Sequence, residues 1–169
     1  GQDRSFKTGT LQPIFLDNNS YTIDSEGVIT SIDLSSGEIK WIHDLDLDVS
    51  SGLAFHNDML FFGTNDGQYY GYKIDQLSSS YKFFDKLDIT SMFQKSSVKP
   101  YLLVQLLSEV SSPGHGIDDL MFIKLDDGNT VAINIENSKI EWNYKGRNVP
   151  LSMKGSAAIV NLNNNLFIA

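Results

Sequence analysis

The 169-residue chain contains no cysteine. A disulfide framework, a thiolate metal site and a cysteine nucleophile are thereby excluded. Basic residues are few: 13 Lys and Arg stand against 21 Asp and Glu, a formal net charge of -8. No Lys/Arg cluster interrupts this acidity. Nucleic acid and anionic membrane surfaces both recruit protein through a basic face, so neither is an expected partner. Long hydrophobic runs are also missing, and stretches such as Tyr101 to Leu107 fall far short of a bilayer span.

The motifs of common chemistry are absent too. Histidine is limited to His43, His56 and His115, widely separated and outside any HExxH pattern. Each reads as a surface or turn residue, His115 within a flexible Pro113-Gly114-His115-Gly116 loop. There is no GxxxxGK[ST] phosphate loop, no GxGxxG opening a helix and no GxSxG elbow. Asp44, Asp46 and Asp48 alternate as in a calcium loop, but without its sharp-turn glycine or terminal Glu. They read as a solvated edge whose like charges discourage strand-to-strand aggregation. No catalytic residue, cofactor site or metal site is expected, and the chain is not expected to be an enzyme.

What the sequence does contain is a repeat. Residues 16–41, 55–81 and 116–142 align on a shared glycine, Gly27, Gly67 and Gly128. Asn18, Asp58 and Asp119 each lie nine residues before it, and Trp41, Tyr81 and Trp142 each lie 14 residues after it. Between these marks run short β-branched and aromatic segments, Ser20–Ile23, Met59–Phe62 and Leu120–Ile123, followed by acidic turns that end in the glycine. Short strands separated by turns and repeating near 40 residues predict an all-β chain of four-stranded antiparallel β-propeller blades, each stacking on the next. The predicted units are about 11–45, 50–84 and 106–146, with a fourth, incomplete at 154–169, and an insertion at about 85–105. Three units and the start of a fourth cannot close a ring, so a fragment of a longer propeller is expected.

Trp41, Tyr81 and Trp142 are expected on the outermost strand of each unit, locking blade to blade and burying ~150–250 Å² apiece. A ligand cage at these positions is the less favoured reading. The insertion reads as a decorated loop between blades, with Leu87–Phe93 able to form a short amphipathic helix and Val98–Val104 extended around Pro100. Between Trp142 and the fourth unit, Leu151 and Met153 fall on one side of an extended segment beside Lys154. Spacing alone leaves two readings open, a protein-docking patch or a pair of side chains tucked against the blade edge.

The stretch SIDLSSGEIKW, with VAINIENSKIEW as a looser copy, resembles the repeat of quinoprotein-type propellers. The segment WNYKGRNVPLSMKGSAAIV, Trp142 to Val160, resembles the BamB family, lipoproteins of the outer-membrane β-barrel assembly machinery, and the resemblance spans residues 11–169. It implies a non-enzymatic, eight-bladed scaffold at the periplasmic face of the outer membrane. The implied partners are the POTRA domains of the pore subunit, with unfolded outer-membrane protein clients as a further class. The family's contacting leucines and arginine fall on Leu151, Met153 and Lys154. Met153 keeps apolar bulk, whereas Lys154 lacks the planar fork of Arg. The insertion is longer than the family's, and its lipid-bearing cysteine is absent, so anchoring is not legible here. Two alternatives share the repeat: a quinone-dependent dehydrogenase, whose usual adjacent cysteines are missing, and a periplasmic or luminal sensor domain.

Overall fold

The computed structural model describes residues 11–80, 98–146, 159–162 and 165–168. Three four-stranded antiparallel sheets follow one another, each with its strands in sequential order. The first holds β1 (Ile14–Leu16), β2 (Asn19–Ile23), β3 (Val28–Asp33) and β4 (Ile39–Asp44). The second holds β5 (Ala54–His56), β6 (Met59–Gly63), β7 (Gln68–Lys73) and β8 (Leu102–Gln105). The third holds β9 (His115–Ile117), β10 (Leu120–Lys124), β11 (Thr130–Asn134) and β12 (Lys139–Tyr144). A hairpin of β13 (Ile159–Leu162) and β14 (Asn165–Ile168) comes last, and α1 (Ile74–Ser80) follows β7.

The sequence repeat is a repeat of hydrogen bonds. The carbonyls of Asn18, Asp58 and Asp119 accept from the amides of Leu34, Ile74 and Ile135 at 2.8, 3.0 and 2.9 Å. Gly27, Gly67 and Gly128 turn the second strand into the third with φ of 84°, 78° and 86°, a left-handed conformation that a side chain would strain.

Side chains alternate between the faces of each sheet, so a sheet stacked on both sides is apolar throughout. In β6, all five residues are buried. Leu60 and Phe62, with Tyr70 and Tyr72 of β7, meet Tyr21, Ile23, Ile29 and Trp41 of the first sheet. Their neighbours Phe61 and Tyr69 join Leu102 and Val104 on the opposite face, against Met121, Ile123, Val131 and Ile133 of the third.

Strand register defines one repeated row across the sheets. It reads Tyr21–Ser31–Trp41 in the first, Phe61–Gly71–Leu102 in the second and Phe122–Ala132–Trp142 in the third. A small residue in the middle lets the large flanking side chains close over it. Tyr21 and Trp41 have ring centroids 5.8 Å apart at 45°. Phe122 and Trp142 reproduce that pair at 5.7 Å and 47°.

The second sheet departs from expectation. Tyr81 lies outside the described residues, as does Leu87–Phe93, and the outer strand of this sheet is β8, with Leu102 in the place of the tryptophan. The extra residues therefore fall inside the second blade, between its third and fourth strands, rather than between blades. The cause is local. In the first and third sheets the third strand ends in Asp33 or Asn134, whose side-chain oxygen accepts from amides two and three residues on, at 2.9 to 3.2 Å. The turn then closes through a left-handed residue, Gly37 at φ 71° or Ser138 at φ 57°. The corresponding residues of the second unit are Lys73, which offers no acceptor, and Leu77, too bulky for a left-handed turn. The chain winds into α1 instead, and Leu77 becomes fully buried in the core between the first two sheets.

Candidate protein-docking surface

Leu151, Met153 and Lys154 lie outside the described residues. In sequence they fall between β12, which ends at Tyr144, and β13, which begins at Ile159. Two earlier connectors join successive sheets. In both, a Val-Ser-Ser triplet ties the connector to the next sheet. Ser51 Oγ accepts from the Gly63 amide at 2.7 Å, and Ser112 Oγ donates to the Lys124 carbonyl at 3.4 Å. Ser50 Oγ donates to the Val110 carbonyl at 2.7 Å and so joins the two connectors to each other. Leu106 is buried and Leu45 and Leu47 pack against the core, whereas Leu107 is exposed.

The face of the third sheet is covered differently from that of the first. Trp41 and Trp142 hold equivalent positions in the row, yet Trp41 is 5% exposed and Trp142 41%. Leu60, Phe62, Tyr70, Tyr72 and Leu77 share a core with Trp41. Across the face that carries Phe122 and Trp142, Ile159 and Leu166 are the described residues of the next hairpin that pack in. A cleft of about 860 Å³ remains, lined by Ile117, Phe122, Trp142, Tyr144 and Leu166, with Asp118, Asn143 and Asn161 as polar members. Tyr144, Val160, Leu162 and Phe167 are also exposed, an apolar surface of the kind that protein contacts use.

Acidic side chains mark the connector end of the sheets. A second cleft of about 550 Å³ is walled by Asp66, Glu109, Asp126 and Asp127 beside Leu106 and Leu107. Ser111 Oγ donates to Asp126 Oδ1 at 2.5 Å. Asp44 Oδ1 accepts from the amide of Asp46, which sits at φ 54°. Among the described residues no three His, Cys, Asp or Glu side chains are grouped to hold a metal ion.

His43 and His115 are not the surface and turn residues expected, whereas His56 ends β5 beside the Asn57-Asp58 turn. His43 is buried on β4, where its Nε2 bonds the Leu77 carbonyl of α1. Burial pushes its pKa below the usual histidine value, and the Leu77 carbonyl opposes that shift. His56 Nε2 donates to the Asp118 carbonyl at 2.7 Å, linking the second sheet to the third. Its ring lies where a Cβ on Gly116 would sit, 2.1 Å from Cγ. His115 belongs to β9, paired with Phe122, and not to a flexible loop.

Leu102 and the small middle residues were missed from the sequence. A signal existed: Ser31, Gly71 and Ala132 each lie four residues after the shared glycine, and all are small.

Successive four-stranded antiparallel meanders, stacked face to face through aromatic rows, are the blades of a β-propeller. Solved structures carry the same architecture. BamB from Moraxella catarrhalis superposes with a TM-score of 0.63 at 13% identity, over 90% of this chain and 43% of that one. The computationally designed Ika4 protein matches at 0.58 and 13%, over 93% and 88%. The quinohemoprotein alcohol dehydrogenase ADHIIG from Pseudomonas putida HK5 matches at 0.53 and 15%, over 78% and 20%. The chain thus spans less than half the length of that BamB, and at these identities the likeness is one of fold. No protein-family model matches the sequence, and no curated protein sequence does.

Proposed function

We propose that this chain is part of a non-enzymatic scaffold subunit of outer-membrane β-barrel assembly, at the periplasmic face of that membrane. Its connector through Leu151, Met153 and Lys154 docks on the POTRA domains of the pore subunit. The observation that carries this reading is the segment Val149-Pro150-Leu151-Ser152-Met153-Lys154-Gly155 and its place between the third and fourth blade units. From Trp41 to Val49 and from Leu102 to Val110 is eight residues, but from Trp142 to Gly155, which precedes the matching Ser156, is 13. A connector five residues longer than the two before it has chain to spare for contact. The fold likeness to BamB supports the scaffold on which such a segment would be displayed.

The test is capture of the POTRA region by the full-length protein carrying Leu151→Asp with Lys154→Glu. Capture is expected to be lost while the circular dichroism of the propeller is retained. Undiminished capture overturns the assignment.

A second reading, a quinone-dependent dehydrogenase, draws on the likeness to quinohemoprotein alcohol dehydrogenases. Absorbance from a bound quinone, or dye-linked alcohol oxidation by the full-length protein, would favour it.

A further inference from the structure

The second and third sheets each receive the sheet before them on one face. The receiving face is Leu60, Phe62, Tyr70 and Tyr72 in the second, and Met121, Ile123, Val131 and Ile133 in the third. Counted from the shared glycine, the same places in the first sheet hold Ser20, Thr22, Thr30 and Ile32. Ser20 pairs with Ile32 and Thr22 with Thr30, and strand alternation sets all four opposite the aromatic face that meets the second sheet. Burial follows composition. β6, Met121–Ile123 and Thr130–Ile133 are buried throughout, whereas Thr22, Thr30 and Ile32 are half-buried. The ends of this row are apolar: Phe15, paired with Ser20, and Ile39, paired with Ile32, are 65% and 55% exposed. We propose that this face is the opening seam of the propeller, where another blade of the same chain closes on a hydroxyl-lined centre in a contact that parts before any other blade junction.

The occupant follows from continuity with the two junctions that are formed. Register and repeat position make this the receiving face of a blade, and the apolar ends at Phe15 and Ile39 call for cover of the same breadth. The weakness follows from the centre. Serine and threonine contribute little apolar area where the other sheets contribute leucine, phenylalanine and tyrosine, and each hydroxyl buried there needs a partner. Stacked repeats carry a polar face where the stack ends, and contacts that form and part are more polar than permanent ones. The first blade's other face is held by Trp41, Phe62 and Leu77 in one core, so the first blade stays with the second when the seam parts. The inference rests on the longer propeller being a closed ring and not on POTRA docking, so a failed capture assay leaves it standing.

Native-state hydrogen exchange of the full-length protein, corrected for intrinsic rates, reads the seam. With one face uncovered the first blade unfolds locally at lower cost, so β2 and β3 are expected to exchange at least about tenfold faster than β6 and β7. The opening should depend on urea more weakly than global unfolding does, because it exposes less surface. Thr22→Val with Thr30→Val adds apolar surface to the centre and is expected to slow exchange of β2 and β3 by about tenfold, with β10 and β11 unchanged. Equal protection in the first and second blades overturns the proposal, as does an unchanged rate in the double variant. Exchange that slows as the protein is concentrated would place a second copy on the face and overturn it too. Should the variant fail to fold, urea decides alone: a first blade that opens only with the full urea dependence of global unfolding has no seam.

Discussion

Gly71 occupies the middle of the aromatic row with no side chain, although Ser31 and Ala132 carry a Cβ at the same place. The difference lies in its neighbours. A Cβ on Gly71 would meet the Phe61 ring at 2.7 and 2.8 Å and Leu102 Cβ at 3.1 Å. Phe61 is fully buried and its ring cannot swing clear. Gly71→Ala is therefore expected to destabilise the chain by about 1–3 kcal/mol through overpacking, despite the ordinary preference of strands for a side chain. Urea unfolding measures it, and a variant as stable as the parent would show that the second row has slack. The tyrosines of the same core make a prediction about alkali. Burial pushes the Tyr72 hydroxyl up to about 12 and raises Tyr70 as well, with Asp66 adding to the shift at Tyr70. The folded state keeps these protons to higher pH than the unfolded chain does. Its stability is thus complete below pH ~10 and is lost as pH rises toward the folded values. Tyrosinate absorbance from this core and loss of near-ultraviolet circular dichroism should rise together above pH ~10. Ionisation of all tyrosines at the free value, with the dichroism intact, would show the core to be open.

At the scale of elements, most of the strands could be read from the sequence because each rests on a local cause. The turn glycines demand a left-handed backbone, and the polar pairs nine residues before them supply the carbonyls that bind the third strand's end. Both are properties of a few adjacent residues. The outer strand of the second blade could not be read this way. Counting 14 residues from Gly67 leads to Tyr81, a count that presumes the third-to-fourth turn exists. Lys73 and Leu77 abolish that turn, and β8 is recruited from beyond α1 by pairing with β7, a long-range choice that no local rule encodes. Leu77 is the residue that converts the lost turn into packing, since it is fully buried beside Trp41. Leu77→Ala is expected to cost about 2–5 kcal/mol by lost burial and an unfilled cavity. Trp41 emission should shift to the red as its cover is removed. A loss under about 1 kcal/mol, within reach of a surface substitution, would mean α1 merely rests on the sheet.

Across the whole molecule, stability passes from blade to blade through shared faces, so the same residue is worth different amounts in different blades. Leu151, Met153 and Lys154 lie outside the described residues, and the open face at Trp142 was not legible in the sequence for that reason: it depends on what lies against Trp142, which no residue near Trp142 states. Trp41 and Trp142 have the same cross-strand partner size, the same ring geometry and an eightfold difference in exposure, 5% against 41%. In residues 1–169 taken alone, Trp41→Ala is expected to cost about 3–5 kcal/mol, and Trp142→Ala no more than about 2 kcal/mol. Single-tryptophan variants give the finer comparison. With Trp142 replaced by Phe, emission from Trp41 should be blue-shifted and shielded from acrylamide. With Trp41 replaced instead, Trp142 should emit further to the red and be quenched. Within the longer propeller proposed, a completed fourth blade would cover Trp142 as the second covers Trp41, and the two tryptophans should then become equally shielded. Persistent quenching of Trp142 there would mean that its face is kept for a partner and not for the next blade.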